Sequence, residues 1–107
     1  MHEQRFSVIS VRHRVLGKQV RLQLADDFVL KLTLAEASSL SFALIAVRDG
    51  VSPEREIYMS PIASDVAFVG TVKHSGMSIA TGDDVIELDW ANVSKLAGAL
   101  ADAIEAA

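Results

Sequence analysis

The chain has no cysteine among its 107 residues. This excludes a disulfide framework, a thiolate zinc site and a cysteine nucleophile, and it fits a reducing, cytoplasmic setting. Proline is nearly absent: Pro53 and Pro61 are the full complement, and both fall in one stretch. Aromatic residues are 6% of the chain, which leaves few rings on which nucleic-acid bases could stack. The longest unbroken apolar run, Phe42 to Val47, is far shorter than the ~20 residues of a membrane-spanning helix. The opening MHEQRFSV lacks the basic-then-apolar pattern of a signal peptide. Glycine-rich phosphate loops and a glycine elbow around a serine are also missing.

Half of the residues are apolar, enough for one domain, 1–107, to bury a single core. The net charge of −4 is unevenly spread. Up to Leu32 there are six Lys/Arg against three Asp/Glu; from Thr33 on there are four against eleven. A basic first part and an acidic remainder say more about partners than the sum does.

The organising feature is an echo. Residues 26–47, DDFVLKLTLAEASSLSFALIAV, are answered by residues 83–103, DDVIELDWANVSKLAGALADA. Asp26/Asp83, Asp27/Asp84, Leu32/Leu88, Ala35/Ala91, Ser38/Ser94, Leu40/Leu96, Ala43/Ala99 and Leu44/Leu100 are identical. About two such matches would arise by composition alone. The excess, in register, points to an internal duplication.

Local patterns give each copy the same plan. Phe6 to Val15, Gln19 to Ala25 and Phe28 to Thr33 alternate as strands. In the first of these, Ile9, Val11 and His13 are assigned inward and Arg12 and Arg14 outward. Asp26-Asp27 makes a turn, because short carboxylates satisfy local backbone donors. At Thr33 the period changes to about 3.6, and Thr33-Leu34-Ala35-Glu36 has the form of a capping box. Leu34, Ala37, Leu40, Ser41, Leu44 and Ile45 form the buried stripe, widened by Phe42, Ala43 and Ala46 toward a second neighbour. Asp49-Gly50 ends the helix. Residues 50–65 join the copies, with an edge strand offered at Glu56 to Ser60. Val66 to Lys73, Met77 to Thr81 and Val85 to Leu88 are the second set of strands. Asp89 caps a helix whose stripe is Trp90, Val93, Leu96, Ala97, Leu100 and Ile104. The expected fold is α+β: two tandem βββα repeats, about 6–49 and 66–107. They would form an antiparallel sheet of about six strands, with two helices on one face and a pseudo-twofold axis.

Candidate chemistry is sparse. His13 and His74 occupy matched positions, but no Asp or Glu recurs near them at ligand spacing, and both read as caps on the apolar layer. Asp26-Asp27 and Asp83-Asp84 have apolar neighbours rather than alternating oxygen ligands, so they read as turns. Ser38, Ser39, Ser41 and Ser94 lie on helices without a nearby base. No enzyme activity, cofactor or metal is expected.

The sheet face away from the helices is the expected site. Its outward residues are Arg12, Arg14, Arg21, Gln23 and Lys31 in the first copy, and Lys73, Ser75, Ser78, Ala80 and Glu87 in the second. One half is basic and the other neutral to acidic, which is self-complementary about a twofold axis. Ile57, Tyr58, Met59 and Ile62 of the joining segment would add an apolar centre. The expected contact set is Arg12, Arg14, Arg21, Lys31, Tyr58, Met59 and Glu87, and the expected partner a second copy or another protein.

The alternative is single-stranded nucleic acid on Arg12, Arg14, Lys18, Arg21 and Lys31. In layout the units resemble the PUR and Whirly single-strand-binding folds, which repeat four strands and a helix. The resemblance covers topology alone and implies a nucleic-acid partner. This chain departs from it in having three clear strands per unit and no row of exposed rings. A catalytic site assembled from scattered residues is the third reading.

Overall fold

A computed structural model describes residues 6–107. Three strands, β1 (Ser7–His13), β2 (Gly17–Ala25) and β3 (Phe28–Thr33), lead into helix α1 (Leu34–Arg48). Strand β4 (Glu56–Met59) follows, then β5 (Phe68–Lys73), β6 (Gly76–Thr81) and β7 (Asp84–Asp89), and finally helix α2 (Trp90–Ala106).

The α+β class and the strand and helix order stand, but the single six-stranded sheet does not. There are two antiparallel sheets, β1-β2-β3 and β4-β5-β6-β7. One edge of the first sheet, the outer edge of β3, is closed by a side chain. The Ser64 hydroxyl accepts the Lys31 N–H at 2.6 Å and donates to the Lys31 carbonyl at 3.0 Å. A side chain thus occupies the groups that a neighbouring strand would need. The Glu56–Ser60 edge strand is present as β4 and makes a seventh strand.

The helix starts form where the pattern places them. Thr33 accepts the Glu36 N–H at 3.1 Å, and Glu36 accepts the Thr33 N–H at 2.8 Å, a complete capping box. The second Glu36 oxygen accepts the Ile62 N–H at 3.1 Å, tying the joining segment to the start of α1. Asp89 caps α2 through the Asn92 N–H at 2.9 Å. The Trp90 indole donates to the His74 carbonyl, fixing the β5–β6 turn against α2.

Each helix touches both sheets: α1 meets β2, β3 and β4, and α2 meets β1, β2, β6 and β7. One continuous core results. Leu22, Leu30 and Leu32 of the first sheet join Phe68, Met77 and Ile79 of the second under Leu40, Leu44, Leu96 and Leu100 of the helices. The helices also meet each other, where the buried Ser41 hydroxyl donates to the Ala97 carbonyl at 3.0 Å. The α1 stripe is narrower than its composition suggests, because Phe42 is 71% exposed and widens nothing.

Gln19 is buried too, but on the face of β2 away from Val20 and Leu22. It lies opposite Val11 and Thr33, and its Nε2 has no hydrogen-bond partner among the described residues. An unmet buried donor costs about 1–3 kcal/mol, whereas an apolar group of the same shape costs nothing comparable. Gln19→Leu is therefore expected to raise the unfolding free energy by about 1 kcal/mol. Chemical denaturation checks this, and a loss of stability would show that the amide has a partner.

Candidate functional site

Strand register decides which side chains share the solvent face. In an antiparallel pair, directly opposed residues lie on the same face. In the first sheet Ile9 opposes Arg21, which opposes Lys31; Val8 opposes Leu22, which opposes the buried Leu30. The face carrying Val20, Leu22, Leu30 and Leu32 is the core face. Ile9, Arg21 and Lys31 form a row on the other.

This corrects the assignment of β1. Ile9, Val11 and His13 share the solvent face with Arg21, whereas Arg12 has the opposite parity, paired with Lys18. Arg14 lies in the β1–β2 turn. Neither arginine joins the row of Arg21 and Lys31. His13 is not a cap on the apolar layer either: its Nδ1 accepts the Val15 and Leu16 N–H groups, both at 3.0 Å, and so shapes that turn. His74 is exposed in the β5–β6 turn. Among the described residues, no group of three or more His, Asp or Glu is arranged to hold a metal.

In the second sheet Glu56, Thr71, Ser78 and Glu87 oppose one another in turn across all four strands. Beside them, Tyr58 opposes Val69 and Ala80 opposes Val85, with Val69 and Ala80 one rung beyond the Gly70–Ile79 pair. Tyr58 is 64% exposed and Val85 55%. An apolar row therefore lies next to an acidic and hydroxylic one. Met59 does not belong to it: it opposes the buried Phe68 and packs against the core. Ile57 is buried as well, while Ile62 is exposed.

The charges differ between the two sheets. Neither Arg21 nor Lys31 forms an ion pair among the described residues, although like charges directly opposed on a sheet repel. Lys31 borders a shallow notch with Asp27, Val29, Ser64, Asp65 and Val66. Glu87, by contrast, is held in place. The Ser78 hydroxyl lies 2.7 Å from each of its oxygens, and Lys73 Nζ is 3.5 Å away. The Ser78 hydrogen bond first, and the Lys73 charge after it, keep the Glu87 carboxyl below the ordinary carboxylate range. These contacts stabilise the fold above the ordinary carboxyl pKa, and the benefit is lost as pH falls through the lowered one.

Of the expected contact set, Arg21, Lys31, Tyr58 and Glu87 lie on the solvent faces; Arg12, Arg14 and Met59 do not share them. Ile9, Val69, Val85 and Glu56 belong there and were missed. The signal for Ile9 was ambiguous, since Val8, Ile9 and Val11 place β-branched residues on both faces of β1. No protein family, characterised protein or solved structure matches the chain.

Proposed function

We propose that this chain is a non-enzymatic interaction module that self-associates as a homodimer through its solvent-facing sheets. The reading rests on one observation: Arg21 and Lys31 form no ion pair among the described residues on one sheet, while Glu56 and Glu87 stand beside an apolar row on the other. A twofold axis that sets the basic row of each copy against the acidic row of the other compensates Arg21 and Lys31 and brings Glu56, which has no ion pair among the described residues, a cationic partner. The row that runs from Tyr58 through Val69 and Ala80 to Val85 supplies the apolar contact that charge alone does not. The internal duplication belongs to this reading too, supported by the matched residues and by the recurrence of three strands, a side-chain cap and a helix.

Molar mass by light scattering tests this at low salt and at ~1 M, where charges are screened beyond ~3 Å. The solvent-face contact is expected to hold at low salt and to weaken at high salt. Arg21→Glu with Lys31→Glu should dissociate it, and combining these with Glu56→Lys and Glu87→Lys should restore it. A wild-type monomer at every salt concentration rules the reading out. If that monomer binds single-stranded oligonucleotides, with loss in the Arg21 and Lys31 variants, the nucleic-acid reading takes its place.

No helix among the described residues is long and apolar enough to cross a membrane.

A further inference from the structure

Besides faces, the two sheets have edges, and hydrogen bonding shows which backbone groups each edge presents. The Lys31 N–H and C=O point away from β2, because Ser64 holds them. Backbone groups alternate along a strand, so those of Leu30 and Leu32 point to β2. Their partners Leu22 and Val20 point back to β3, which leaves Gln19, Arg21 and Gln23 pointing to β1. Val11, Ile9 and Ser7 answer them. The N–H and C=O groups of Val8, Ser10 and Arg12 therefore point outward from β1. No described backbone group bonds to them.

The other edges are guarded. Ser64 closes β3. Strand β7 carries Asp84, Glu87 and Asp89, so two copies pairing there would set carboxylates against one another. Strand β4 has only four residues and lies between Pro53 and Pro61. Strand β1 has seven residues and no charge from Ser7 to Val11, and Ile9 is 46% exposed. An edge of this kind is a template for another strand.

We infer that the outer edge of β1 is a docking site for β1 of a second copy, running antiparallel about a twofold axis at Ser10. The occupant follows from the strand's self-complementarity. With Ser10 opposite its own counterpart, Val8 opposes the second copy's Arg12, and every outward N–H and C=O in both copies is paired. Ile9 meets the second copy's Val11 on the solvent face, and no like charges face each other. The two three-stranded sheets become one sheet of twice the width. This contact is separate from the one proposed above between solvent faces. It depends on backbone hydrogen bonds and apolar contact and therefore persists at ~1 M salt, so with both contacts formed the assembly exceeds a dimer at low salt and falls to the edge dimer at high salt.

The test places opposite charges at the axis. Ser10 is exposed, so Ser10→Lys and Ser10→Asp are tolerated by the monomer, which circular dichroism verifies. Each variant alone sets like charges directly opposite and is expected to weaken dimerisation about tenfold or more; mixing the two at equal concentration should restore it. Tyr58→Glu, which blocks the solvent face, should leave this dimer intact. A monomeric wild type, variants as dimeric as the wild type, or a mixture no tighter than either variant alone overturns the inference. A dimer lost with Tyr58→Glu but kept with Ser10→Lys overturns it too, and leaves the solvent-face proposal standing. One kept with Arg21→Glu and Lys31→Glu but lost with Ser10→Lys supports the edge and removes that proposal.

Discussion

Gly76→Ala is expected to destabilise the protein by about 3 kcal/mol or more, lowering the melting temperature by roughly 10 °C or more. Gly76 opens β6 and opposes both Lys73 and Asp89. A Cβ there would lie 1.9 Å from the Leu88 carbonyl oxygen and 2.8 Å from the Asp89 Cα, at a φ of +155°. All of these obstacles are backbone, so no rotamer change relieves them. Relief requires β7 to move away at Asp89, the residue that caps α2 through the Asn92 N–H. One methyl group thus disturbs a strand pair and a helix start together. Gly98 is the control. It lies within α2, with nothing within 4 Å of an added Cβ, so Gly98→Ala should stabilise by up to about 1 kcal/mol. Thermal unfolding of the two variants side by side decides the matter. A Gly76→Ala protein that melts with the wild type would mean that β6 and β7 do not approach so closely.

Phe68→Ala is expected to cost about 3–5 kcal/mol. Phe68 is fully buried at the start of β5, opposite Met59. Its ring lies over Gly70, two residues along on the same face: a Cβ on Gly70 would come within 3.1 Å of Phe68 Cε1 and 2.7 Å of Met77 Cε. The glycine makes the room that the ring and the methionine methyl fill. Truncating the ring leaves a cavity over a residue that has no side chain of its own. Met77 is flexible enough to relax into part of that space, which sets the lower end of the range. Urea unfolding should show a lower midpoint at unchanged slope, since the surface exposed on unfolding is nearly the same. A loss below about 1 kcal/mol would place Phe68 outside the common core.

The legible parts were those with a local cause. Thr33 and Glu36 stand three apart before an apolar stripe, and a hydroxyl and a carboxylate at that spacing satisfy each other's backbone donors without help from the rest of the chain. Asp89 does the same for Asn92. The β2 alternation of Val20, Leu22 and Leu24 is equally local, because polar residues separate them on the other face. Strand β1 has no such contrast: Val8, Ile9 and Val11 make both faces apolar, so its parity depends on pairing with β2 rather than on its own residues. The misplacement of Arg12 follows directly. Met59 has the same cause, since whether a methionine beside Tyr58 faces inward depends on its opposing Phe68.

The α+β class, the order of three strands and a helix on either side of the joining segment, both helix caps and most of the core are legible in the chain alone. These depend on periodicity and on hydrogen bonds between residues three or four apart, and periodicity is a property of the chain alone. Long-range packing sets that there are two sheets and not one, that Arg21 and Lys31 stand together without Arg12, and that the outer edge of β1 meets no strand among the described residues. Each depends on residues far apart in the chain. Ser64 reaches Lys31 across thirty-three positions to close one edge, and no local pattern records that a hydroxyl will take the place of a strand.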